Sequence, residues 1–252
     1  MIFKGLASLA AHRFPVFLSG WLLLVLSLLR PDPLQGADLR FGVFYPHYET
    51  VRIIRRAVEA DPVFARLDVE IFSQYREFSR AGKGEAFQVI LVPSFIPACS
   101  AEYRPAWQFL KGGKEQFRYL LVGLGDPPVP GKGSVAMPDL TGRQETRALF
   151  DRIDGKHSFR NSKVVAKARD LLPMLAMDNA DFIYIAPGNL EYFARQYRLK
   201  PRIMGKTSPV GYPLICIKRD LRAGQLPDFR LLKPETLKAL GFTGIKQVVK
   251  KR

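Results

Sequence analysis

From Leu39 to Lys218 short, nearly all-apolar runs alternate with stretches whose apolar residues return at helical spacing, which limits the chain to α/β architectures with a mainly parallel sheet. The spacing predicts strands at Leu39–Tyr45, Leu67–Ser73, Ala86–Val92 and Phe117–Gly123. Between them Val51, Ile54 and Val58 share one helical face, and Gln74–Ala81 reads as a more polar helix. A second series follows: strand Ser134–Met137, helices Arg143–Ile153 and Val164–Met177, strand Phe182–Ala186, helix Leu190–Tyr197 and strand Pro201–Met204. The apolar strand Leu214–Lys218 and a helix at Pro234–Leu240 close the chain, with Pro234 suited to a first helical position and Gly241 to a C-cap.

Two segments divide the series. Residues 125–131 (GDPPVPG) are the densest Pro/Gly stretch, and residues 206–212 contain Ser208-Pro209-Val210-Gly211. One series, a crossing, a second series, a second crossing and a final apolar strand describe one lobe interrupted by another. The expected division is 38–127 with 206–252 for lobe one and 128–205 for an inserted lobe two. The cleft between such lobes is where a ligand belongs.

Phe14–Leu29 carries no charge over sixteen residues between Arg13 and Arg30, and Lys4 adds a positive start. That order marks residues 1–37 as a signal peptide or membrane anchor and the protein as periplasmic, touching the membrane only through this segment. Export makes a disulfide between Cys99 and Cys216 permissible, but both lie near apolar strands and the expectation is two buried free thiols. His12, His47 and His157 are scattered, so no metal site is expected.

The formal net charge is +16. Removing Lys4, Arg13, Arg30 and Asp32 from totals of 39 basic and 23 acidic residues leaves 36 and 22, a net +14. Such an excess attracts anionic neighbours. The basic residues are dispersed and form no run interleaved with aromatics, so nucleic acid is not an expected partner.

Four segments resemble periplasmic solute-binding proteins of the phosphate/phosphite/phosphonate ABC transporter type. Residues 133–142 (GSVAMPDLTG) look like the opening of their second lobe, and 175–185 (LAMDNADFIYI) like their later helix-to-strand element. Residues 208–220 (SPVGYPLICIKRD) are similar to their return strand, and 240–244 (LGFTG) to their closing segment. The resemblance implies a two-lobed, doubly wound α/β fold that holds its ligand at strand ends and helix N-termini, where free N–H groups favour anions. It implies ligand loops at residues 45–48, 93–95, 141–144 and 187–189, with Tyr45, His47, Ser94, Thr141, Arg143 and Asn189 as contacts. Each has a plainer reading: a sheet-edge cap for Tyr45, turn chemistry for Ser94 and Asn189, an N-cap for Thr141, a solvated side chain for Arg143. The chain departs from the family at residues 138–143 (PDLTGR), where Asp139 would repel a phosphate-like group and Arg143 would offset it.

No G-x-S-x-G elbow and no P-loop spacing is present, so the expectation is a non-enzymatic, monomeric binding protein without cofactor. Its partners would be a small polar or anionic solute and an ABC transporter permease or membrane sensor. The alternatives are an accessory or sensor-input protein that keeps the fold without the transport role, and, further off, a hydrolase.

Overall fold

The computed structural model describes residues 39–44, 46, 51–84, 87–96, 102–190, 200–221 and 225–248. The expected signal segment 1–37, with Tyr45, His47 and Cys99, lies outside the described residues. Residues 38–252 form one compact unit. Among the described residues no helix is long and apolar enough to cross a membrane.

β3 (Val89–Val92) is buried throughout, as a run without a polar face requires. It pairs with β1 (Leu39–Phe44), which in turn pairs with β2 (Leu67–Phe72), all parallel. Three further strands, β4 (Tyr103–Leu110), β12 (Leu214–Lys218) and β13 (Gly244–Gln247), complete a six-stranded sheet of order β13-β4-β12-β3-β1-β2. Helix α1 (Val51–Glu59) covers one face and α2 (Tyr75–Gly84) the other. Because side chains alternate along a strand, Phe41 and Val43 pack with Ile54 and Val58 of α1, while Phe44, Ile90 and Val92 pack with Phe78 of α2. Each such buried side chain stabilises the fold by about 1.5–3 kcal/mol.

The second sheet has five strands in the order β10-β6-β9-β7-β8. They are β6 (Leu120–Gly123), β7 (Ser134–Pro138), β8 (Asn161–Val165), β9 (Phe182–Ile185) and β10 (Arg202–Lys206). Helices α3 (Arg143–Asp154) and α4 (Leu171–Ala176) pack on it through Leu149, Phe150 and Ile153 on one face and Leu171, Leu172 and Leu175 on the other. The sheets are joined by two crossings that pair antiparallel, β5 (Gln116–Phe117) and β11 (Val210–Gly211). Phe117 stacks on Tyr212 at this hinge, ring centroids 4.9 Å apart.

Several expectations need correction. The Pro/Gly stretch 125–131 is no crossing: it connects β6 to β7 inside the second sheet, where Gly131 donates to the Ser158 carbonyl. Pro/Gly density marks a turn, and the true first crossing is the short β5, so strand 120–123 belongs to the second sheet rather than the first. The helix expected over Val164–Met177 starts only at Leu171, because Val164 and Val165 are drawn into β8 by their β-branched side chains. β4 has no counterpart among the expected strands, and it carries Pro105, a residue unusual inside a sheet. The ladder accommodates it with a register shift: Cys216 faces Pro105 and Ile215 faces Trp107, leaving Ala106 as an extra residue. Most of the helix expected at Leu190–Tyr197 lies outside the described residues.

The return strand β12 behaves as expected, pairing with β3 and β4 of the first sheet. So does α5 (Pro234–Ala239), with Pro234 at its start and Gly241 at φ 86° after its end. Cys216, fully buried on β12, is disulfide-bonded and among the described residues no cysteine is free, which overturns the expectation of free thiols.

Candidate functional site: the cleft between the two sheets

The strand ends of β7 and β8 in the second sheet face the segment that follows β2 in the first. After β7 the chain turns through residues 139–142 into α3. Gly142 is the residue before the helix, and no side chain caps the first turn. Its φ of 106° excludes most side chains, and a Cβ there would lie 2.7 Å from Glu145 Oε2. The turn is closed from within. Asp139 Oδ1 accepts from the Gly142 amide at 2.8 Å and from the Thr146 hydroxyl at 3.3 Å. Thr146 Oγ1 accepts in turn from the amides of Leu140 (3.0 Å) and Thr141 (3.2 Å). Thr141 therefore does not cap α3, contrary to one reading of the sequence; Thr146 does the local work.

Across from this turn stands α2. Gln74, Tyr75, Arg76, Ser79, Arg80 and Lys83 line one wall of a cavity of about 680 Å³, and Asp139, Gly142, Arg143 and Ala166 line the other. Tyr75 registers the opposite wall directly: burial raises its phenol pKa, and the carboxylates of Glu145 and Asp139 raise it further, against a hydrogen bond with Ser79 that lowers it. Arg76, Arg80 and Lys83 recur at i, i+4 and i+7, on one face of α2. Like charges at that spacing destabilise a helix by about 0.2–0.5 kcal/mol per pair. Among the described residues none of these three, nor Arg143, forms an ion pair. Four cations thus meet across a cavity whose lining includes one carboxylate, Asp139, itself partly engaged by the turn.

Of the expected contacts, Arg143 lines this cavity and Thr141 is on the adjoining turn. Ser94 sits elsewhere: it is at the hinge, and its hydroxyl donates to the Gly211 carbonyl at 2.7 Å. Asn189 is buried, 5% exposed, at the helical turn after β9, where its backbone N–H donates to the Ala186 carbonyl. Arg76, Arg80 and Lys83 were missed because a polar helix with spaced cations reads as a solvated face. The i, i+4, i+7 recurrence was the available signal. Among the described residues no group of three or more His, Cys, Asp or Glu is placed to hold a metal ion.

No known family and no curated protein matches the chain by sequence. Its fold has solved counterparts. A binding protein component of an ABC phosphonate transporter from Pseudomonas aeruginosa superposes with a TM-score of 0.60 at 10% identity, covering 83% of this chain and 81% of that one. A Xanthomonas citri protein solved bound to ATP gives 0.57 at 14% identity, covering 84% and 91%. A histidine kinase sensor domain with similarity to periplasmic binding proteins gives 0.52 at 16% identity, covering 82% and 90%. The fold is that of the two-lobed periplasmic binding proteins.

Proposed function

We propose that this chain is an extracytoplasmic solute-binding protein whose lobes close on a small anion-bearing solute, supplying an ABC transporter or a membrane sensor. The carrying observation is the convergence of Arg76, Arg80, Lys83 and Arg143, without carboxylate partners among the described residues, on one cavity between the two sheets. Aligned like charges on α2 oppose helix stability and are explained by a ligand that neutralises them. The two-strand hinge supports closure, since both crossings lie side by side as a paired connection between the sheets. Asp139 directs the choice within the class: a zwitterion would set its cation against Asp139 and its phosphate-, phosphonate- or carboxylate-like group against the arginines. No step of chemistry is assigned to the site.

A thermal-unfolding screen of the full chain with inorganic phosphate, methylphosphonate and 2-aminoethylphosphonate tests the reading. A midpoint that rises with concentration supports it, because a ligand bound only to the folded state adds stability as it exceeds Kd. The likeness to a histidine kinase sensor domain favours a second reading, a sensor-input or accessory protein that keeps the fold. An accessory protein that has lost its ligand would show no midpoint shift with any of these solutes.

A further inference from the structure

A second cavity of about 1170 Å³ lies at the hinge, and among its lining residues are Lys111, Lys114, Arg118 and Lys206. It shares no lining residue with the cleft at Asp139 and Arg143. We infer that it is a separate site for an organic anion with a flat apolar body, such as an aryl sulfonate or aryl carboxylate, whose occupancy couples to the angle between the lobes.

Three observations carry this. First, charge: among the described residues none of the four cations forms an ion pair, and the one lining carboxylate, Glu115, is already paired with Lys246. Second, apolar surface: Ile203, 49% exposed, and the exposed Pro209 line this cavity, with the edge of the mostly buried Tyr212. A small inorganic anion would leave that surface in water, whereas an apolar body would cover it, at about 25 cal/mol per Å² removed from water. Third, position: Lys111 belongs to the turn after β4, yet its Nζ would lie 2.6 Å from a Cβ on Gly188 beyond β9, so it reaches from one sheet to the other. Arg118 is held at the hinge by its Nη1, which donates to the Thr207 carbonyl at 2.8 Å, leaving further guanidinium donors for an anion.

Isothermal titration of the full chain with naphthalene-2-sulfonate, and with methanesulfonate as the same charge without the body, tests the inference. Saturable binding of the naphthalene compound is expected, with methanesulfonate at least about tenfold weaker. The Lys111→Gln/Lys206→Gln variant should weaken it at least about tenfold, and Ile203→Ser should also weaken it, with thermal midpoints confirming that both variants fold. Arg143→Ala should leave it unchanged. Absence of saturable binding, equal binding of methanesulfonate, or insensitivity to the lysine changes would overturn the inference. Loss in Arg143→Ala would equally overturn it, by placing the ligand in the cleft.

Discussion

Ser94 Oγ donates a 2.7 Å hydrogen bond to the carbonyl of Gly211, so the loop leaving β3 is tied to one of the two hinge strands. The contact is close on both sides: a Cβ on Gly211 would lie 2.7 Å from Ser94 Oγ and 3.0 Å from Ser94 Cβ. Ser94→Ala should lower stability by about 0.5–1.5 kcal/mol, the net worth of one such bond. Gly211→Ala should cost more, because β11 or the Ser94 loop must move. Urea unfolding checks the order; equal midpoints for both variants and the parent would contradict it.

The bridge formed by Cys216 ties the fully buried centre of β12 to the rest of the chain. Cys216→Ser should cost about 2–5 kcal/mol. Reductant should lower the thermal midpoint of the parent and leave that of the variant in place. A parent indifferent to reductant would remove the bridge from the account.

Burial pushes the Tyr103 phenol up from 10.0 to about 12, with Glu102 adding to the rise. Its hydroxyl donates to the Phe87 carbonyl at 2.7 Å, a bond that needs the proton. The folded state therefore favours the neutral phenol: this contribution is whole below pH 10.0 and is lost as pH climbs from there through about 12. Tyr103→Phe should flatten the fall in urea midpoint across that window, and a fall of undiminished slope would count against it.

Asp139 both braces the turn before α3 and lines the cleft. Asp139→Asn keeps an oxygen for the Gly142 amide and removes the charge. It should tighten binding of methylphosphonate and weaken binding of 2-aminoethylphosphonate, read by competition. Movement of both affinities in the same direction would show that Asp139 does not face the ligand.

How much of this was legible follows from what each residue reports locally. The apolar runs of β3 and β9, and of β12 up to Lys218, announced themselves, because a strand covered on both faces has no polar alternation to hide behind. β4 was hidden by Pro105, whose missing N–H is tolerated only through a register shift against β12, a long-range fact. The hinge was misplaced because two paired residues, Gln116 and Phe117, carry no composition signal, while the Pro/Gly loop nearby carries a strong one. In the cleft, Arg143 was readable from its place at a helix start. Arg76, Arg80 and Lys83 were not, since only the packing of α2 opposite residues 139–143 separates a cationic wall from a solvated one.

Whether the cleft cations bind an anionic solute is read by isothermal titration with methylphosphonate and 2-aminoethylphosphonate. The full chain and the Arg76→Ala and Arg143→Ala variants are titrated side by side. Saturable one-to-one binding of at least one solute by the parent is expected. Each variant should lose roughly 1.5–3 kcal/mol of affinity, the worth of a charge-assisted hydrogen bond. Binding of equal strength in parent and both variants would contradict a role for these cations.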